Sequence, residues 1–78
     1  MVWLFERNSE SLHLETRYDS DTAEFVLVMH RPNGGPQIER FKNVVTFRER
    51  LEVLETQLEA DRWTQHGPTF LRDGWKVG

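Results

Sequence analysis

The side chains best suited to chemistry in this chain are three histidines, His13, His30 and His66, set among thirteen carboxylates. They are the only soft-nitrogen ligands, and the chain has no cysteine. Disulfides and cysteine-rich zinc sites are thereby excluded. A zinc centre of the common kinds needs three or four ligands, and none of the usual spacings is present. The histidines are therefore expected as exposed strand residues, with no metal, no other cofactor and no small-molecule ligand. No carboxylate lies in an apolar stretch that would raise its pKa for acid–base work. No nucleophile motif frames a serine or threonine. Gly34-Gly35 is flanked by prolines and is too short for a phosphate-binding loop leading into a helix. The chain reads as a non-enzyme.

The elements that carry these side chains begin with a predicted meander of four strands, over Val2–Arg7, Ser11–Tyr18, Ala23–Arg31 and Gln37–Lys42. The second alternates cleanly, with Leu12, Leu14, Thr16 and Tyr18 on one side and His13, Glu15 and Arg17 on the other. Turns are expected at Asn8-Ser9-Glu10, at Asp19-Ser20-Asp21-Thr22 and, most strongly, at Pro32-Asn33-Gly34-Gly35-Pro36. With Ser20-Asp21 as the hairpin tip, Leu12 faces Met29, Leu14 faces Leu27, Thr16 faces Phe25 and Arg17 meets Glu24. That register sets His30 opposite Ser11 and diagonal to His13, which allows a two-histidine site with Glu15 nearby. A three-residue loop at Asn33-Gly34-Gly35 sets Leu27 opposite Phe41, His30 opposite Ile38 and Val28 opposite Arg40. Trp3 and Phe5 face the core or the opposite side according to whether the first turn has two or three residues.

From Asn43 the period changes. Val44, Phe47, Leu51, Leu54 and Leu58 recur at spacings of 3 and 4, the seam of one amphipathic helix. Asn43 is a suitable N-cap, and Thr46-Phe47-Arg48-Glu49 also fits a capping box. Fraying is expected near Asp61 to Trp63, and Gly67-Pro68 ends any helix. The predicted fold is α+β: a four-stranded antiparallel meander followed by one helix packed on one sheet face. Phe25, Leu27, Met29, Leu12, Leu14 and Phe41 meet Phe47, Leu51, Leu54 and Leu58 in that core. One domain covers residues 1–63, and residues 64–78 form an aromatic tail, partly docked through Trp63, Phe70 and Trp75.

Phe25-Val26-Leu27-Val28-Met29 is apolar on both faces of any sheet that contains it. One helix covers one face. Val26 and Val28, with Ile38, His30 and His13 beside them, are therefore expected as a protein interface for a homodimer or an assembly partner, with the tail latching nearby. A chain of 78 residues buries only about 60% of its unfolded surface, so oligomerisation is a natural support.

The net charge is −3, unevenly placed. Residues 1–30 hold two basic and six acidic side chains, residues 31–50 five and two, and residues 51–63 one and four. Arg31, Arg40 and Lys42 of the basic middle are candidates for binding single-stranded DNA or RNA on the sheet. The acidic total and the aliphatic second face favour a protein partner instead. No segment approaches the roughly 20 apolar residues of a membrane span. Met1 to Arg7 has no basic n-region and too short an apolar stretch for a signal peptide, so a cytoplasmic protein is expected.

Four strands followed by one helix resembles the Whirly and transcriptional-coactivator group over residues 2–62, in topology alone. That resemblance implies a helix-exchanging dimer that binds single-stranded nucleic acid on its sheet, with no binding motif matched residue by residue. The Trp3-Leu4 start, the run Glu15-Thr16-Arg17-Tyr18-Asp19 and the tail Gly67-Pro68-Thr69-Phe70-Leu71-Arg72-Asp73-Gly74-Trp75-Lys76 are also similar to short bacterial proteins of unknown function. This second likeness implies no activity.

Overall fold

Alternation along the first half of the chain builds β1 (Val2–Arg7), β2 (Glu10–Asp19), β3 (Glu24–His30) and β4 (Gln37–Phe41) in the computed structural model, which describes residues 1–67 and 71–76. Helix α1 (Val44–Ala60) follows, then β5 (Thr64–His66) and a 3-10 helix over Leu71–Trp75. The sheet order is β4-β3-β2-β1-β5, and each neighbouring pair is antiparallel. The α+β meander-then-helix architecture is thus as expected, with a fifth strand added at the β1 edge. Residues 64–66 belong to the sheet rather than to a separate tail.

Two residues, Asn8 and Ser9, join β1 to β2, and Asn8 takes a φ of 55°. Asparagine tolerates that left-handed conformation better than most side chains. The short loop sets Trp3 opposite Leu14 and Phe5 opposite Leu12, so both aromatics enter the core.

The β2–β3 register differs from the expected one by two residues. Leu14 faces Met29, Thr16 faces Leu27, Tyr18 faces Phe25 and Arg17 faces Val26, so the Arg17–Glu24 pair does not form. The cause is a four-residue loop, Ser20 to Ala23, in which the Asp19 side chain accepts the Asp21 N–H at 3.0 Å and Ala23 takes a φ of 55°. An even shift keeps every side chain on its expected face. It also gathers aromatics: Phe25 stands between Tyr18 and Phe41, and its ring stacks on Phe47 with centroids 5.1 Å apart. Cross-strand aromatic pairs favour this arrangement by roughly 0.2–1 kcal/mol each. The β3–β4 pairing is shifted likewise, with Phe25 opposite Phe41, Val26 opposite Arg40 and Val28 opposite Ile38.

Asn43 caps α1, its Oδ1 accepting the Val45 N–H at 2.7 Å. The 17 residues of α1 span about 25 Å, enough to cross the four inter-strand gaps of about 4.8 Å between β4 and β5. Its seam, Phe47, Leu51, Leu54 and Leu58, is buried in one cluster with Trp3, Phe5, Leu12, Leu14, Leu27 and Met29. Arg50 reaches back to β4 with a bidentate bond to Glu39 at 2.9 and 3.1 Å. The helix ends before Gly67, in a Schellman turn: the Trp63 N–H bonds the Leu58 carbonyl at 2.9 Å, and the Arg62 N–H bonds that of Glu59 at 3.0 Å. Arg62 occupies the left-handed position usual for glycine, with a φ of 65°.

The 3-10 helix lies beside α1 on the same sheet face. Leu71 is fully buried, and Gly74 sits so close that a Cβ there would stand 2.6 Å from Trp3 Cη2. Thr16, a buried hydroxyl among apolar neighbours, donates to the Gly74 carbonyl at 3.4 Å. The aromatic latch thus closes the helix side of the sheet, not the opposite face. Trp63 joins the core and Trp75 packs against it; Phe70 lies outside the described residues.

Candidate functional site

With α1 and the 3-10 helix on one side, no described helix covers the other face of the sheet. The observed register arranges its side chains in rows running across the strands. One row is Ile38, Val28, Glu15 and Val2. The next, toward the opposite end of β3, is His30, His13, Leu4 and His66. On the other side of the aliphatic row stand Arg40, Val26 and Arg17, and beyond them Glu24 and Asp19.

These rows correct the expected interface. Val26 is 0% exposed and Val28 only 6%, so neither is open for a partner. Val26 lies directly between Arg17 and Arg40 on neighbouring strands, a placement that lets long aliphatic stems shield it. Ile38, one strand further out, remains 56% exposed, and Val2 at the far end of the same row is 69% exposed. Leu4 is half-buried, and His13 and His30 are exposed. His30 faces His13 directly, rather than Ser11 or Ile38.

The charges on this face are largely satisfied internally. Arg40 lies 3.2 Å from an Asp19 oxygen and 3.6 Å from one of Glu24, bridging two carboxylates that face each other across β2 and β3. The Arg40 guanidinium, helped by the Asp21 N–H, holds the Asp19 carboxyl below its ordinary pKa. Arg17 lies 3.9 Å from Glu15, and His66 lies 3.5 Å from Glu6.

Of the three basic candidates, Arg40 is therefore committed to an ion-pair network. Arg31 follows the last residue of β3 and Lys42 follows the last residue of β4, at opposite ends of an antiparallel pair about 20 Å long. The aromatic residues Trp3, Phe5, Phe25, Phe41 and Trp63 all pack on the helix side. Val2, Leu4 and His66 belong to the open face although the sequence did not single them out for it. The Asn8-Ser9 loop length decides the facing of β1, and β5 has too little alternation to announce itself.

Among the described residues, no three histidine, aspartate or glutamate side chains converge on a point that could hold a metal ion. A groove of about 370 Å³ opens at the β5 edge on the helix side, lined in part by Phe5, Leu58, Trp63 and the carboxylates Glu55 and Glu59. Glu55 already accepts the Arg72 N–H at 3.4 Å. Among the described residues no helix is long and apolar enough to cross a membrane.

The fold and the face together define an α+β protein with a five-stranded antiparallel sheet covered on one side. Comparison with protein-family models, with curated proteins and with solved structures finds no match to the chain.

Proposed function

We propose that this chain is a non-enzymatic interaction module that pairs with a second copy of itself through the open sheet face. The observation that carries this reading is the aliphatic row from Ile38 to Val2, exposed at both ends on a face no described helix covers. A self-contact requires a surface without a strong field of one sign, since like charges would repel across a two-fold axis. Arg17 and Arg40 neutralise most of the carboxylates here, which suits a like-with-like contact better than an oppositely charged partner. The cysteine-free composition suits a cytoplasmic setting.

The face is small. Strands of 6, 10, 7, 5 and 3 residues, at about 3.3 Å per residue and about 4.8 Å apart, offer roughly 490 Å² in projection. A standard interface takes about 800 Å² per partner, so a face of this size suits a weak, transient pair. Sedimentation between about 10 μM and 1 mM tests this. The wild type is expected to shift from monomer to dimer over that range, and Ile38→Asp to remain a monomer. A wild-type monomer throughout overturns the reading. Binding of a labelled single-stranded oligonucleotide that strengthens at low salt, without self-association, would transfer the face to nucleic acid.

A further inference from the structure

The register that overturned the expected pairing also places two imidazoles side by side. His13 and His30 are direct partners across β2 and β3, both on the open face and both exposed. Residues directly opposite in an antiparallel pair hold their Cβ atoms about 4.5–5.5 Å apart. Two imidazole nitrogens bound to one ion at about 2.0–2.1 Å each stand roughly 3.3 Å from one another in a tetrahedral arrangement. Side chains of histidine length close that difference by rotamer choice alone, with the backbone ladder unmoved. Among the described residues neither ring is committed to a hydrogen bond or an ion pair, so no existing interaction must break. His66, in the same row, is separated from His13 by Leu4 and leans on Glu6 at 3.5 Å.

From this geometry we infer that His13 and His30 form a two-nitrogen chelate for a divalent first-row transition ion, with water completing the coordination shell. Neutral imidazole selects zinc, nickel or copper ions over magnesium and calcium, which take oxygen ligands. The ladder supplies the second imidazole at the effective concentration of an intramolecular ligand, which separates a chelate from a lone surface histidine. The site needs only one chain and does not rest on self-association. Protons compete with the ion for the ring nitrogens, so binding weakens as the pH falls.

Calorimetric titration of the full chain with Ni²⁺ and with Zn²⁺ at neutral pH tests the inference, alongside His13→Gln, His30→Gln and His66→Gln. The wild type and His66→Gln are expected to bind one ion per chain with equal affinity. His13→Gln and His30→Gln are each expected to bind at least tenfold more weakly, with unchanged circular dichroism. Retained affinity in either of those two variants overturns the chelate, as does an equal loss in His66→Gln or the absence of saturable binding by the wild type. Sedimentation of the same samples keeps the two proposals apart. A monomer that binds the ion removes the dimer alone, and a dimer that binds none removes the chelate alone.

Discussion

Arg40 stands directly opposite Val26, and its guanidinium reaches along the sheet to Asp19 and Glu24. This one side chain does two things. Its stem is placed to shield Val26, which is 0% exposed on a face no described helix covers, and its charge relieves two carboxylates that face each other. The second function is partly exposed and screened, so the first is the larger.

Substitution separates the two. Arg40→Met keeps an unbranched stem beside Val26 and is expected to lose little stability, because the ion pairs it gives up are open to water. Arg40→Ala uncovers Val26 as well and is expected to cost about 1 kcal/mol or more. Urea denaturation of both variants reads the difference, and equal losses would place the effect in the charge.

The ion pair has a pH signature. The Asp19 carboxyl is held below its ordinary pKa, first by Arg40 and then by the Asp21 N–H. A carboxylate whose folded pKa is depressed contributes stability that is fully present above the unfolded value of about 3.9. The contribution is lost as the pH falls through the lower folded value. The stability difference between the wild type and Asp19→Asn is therefore expected to hold steady near neutrality and to disappear in acid. Titration of the Asp19 carboxyl carbon by NMR checks the cause, because Arg40→Met should return its midpoint toward the ordinary value.

The latch between the 3-10 helix and the sheet depends on Gly74. A methyl group there would meet Trp3 Cη2 at 2.6 Å, with Leu51 and Thr16 at 3.2 and 3.3 Å. Gly74→Ala is expected to destabilise by about 1–3 kcal/mol, the usual range for overpacking a filled core. Gly35→Ala, with nothing within 4 Å, is expected to stay within about 0.5 kcal/mol of the wild type. Thermal unfolding followed by tryptophan fluorescence distinguishes them.

What the sequence made legible was facing. Period-two alternation in β2 and the 3-and-4 spacing in α1 correctly divide core from surface, since Leu12, Leu14, Leu27 and Met29 do meet Phe47, Leu51, Leu54 and Leu58. Partners were not legible, because they depend on loop length. The extra two residues at Thr22 and Ala23 moved every cross-strand neighbour while leaving each side chain on its face. The meetings of His13 with His30 and of Arg17 with Val26 follow from that shift. The strand at Thr64 to His66 carries no apolar alternation and forms because β1 has a free edge beside the end of α1.

The proposed contact between two copies of the chain runs along the row from Ile38 to Val2. Isotope-filtered NOE spectroscopy on a mixture of labelled and unlabelled protein at millimolar concentration tests this most directly, since it reports contacts between copies alone. Cross-copy NOEs are expected from the methyl groups of Ile38, Val2 and Leu4. Cross-copy NOEs confined to Val45 and Val53 on the outer side of α1, or none at all, would contradict it.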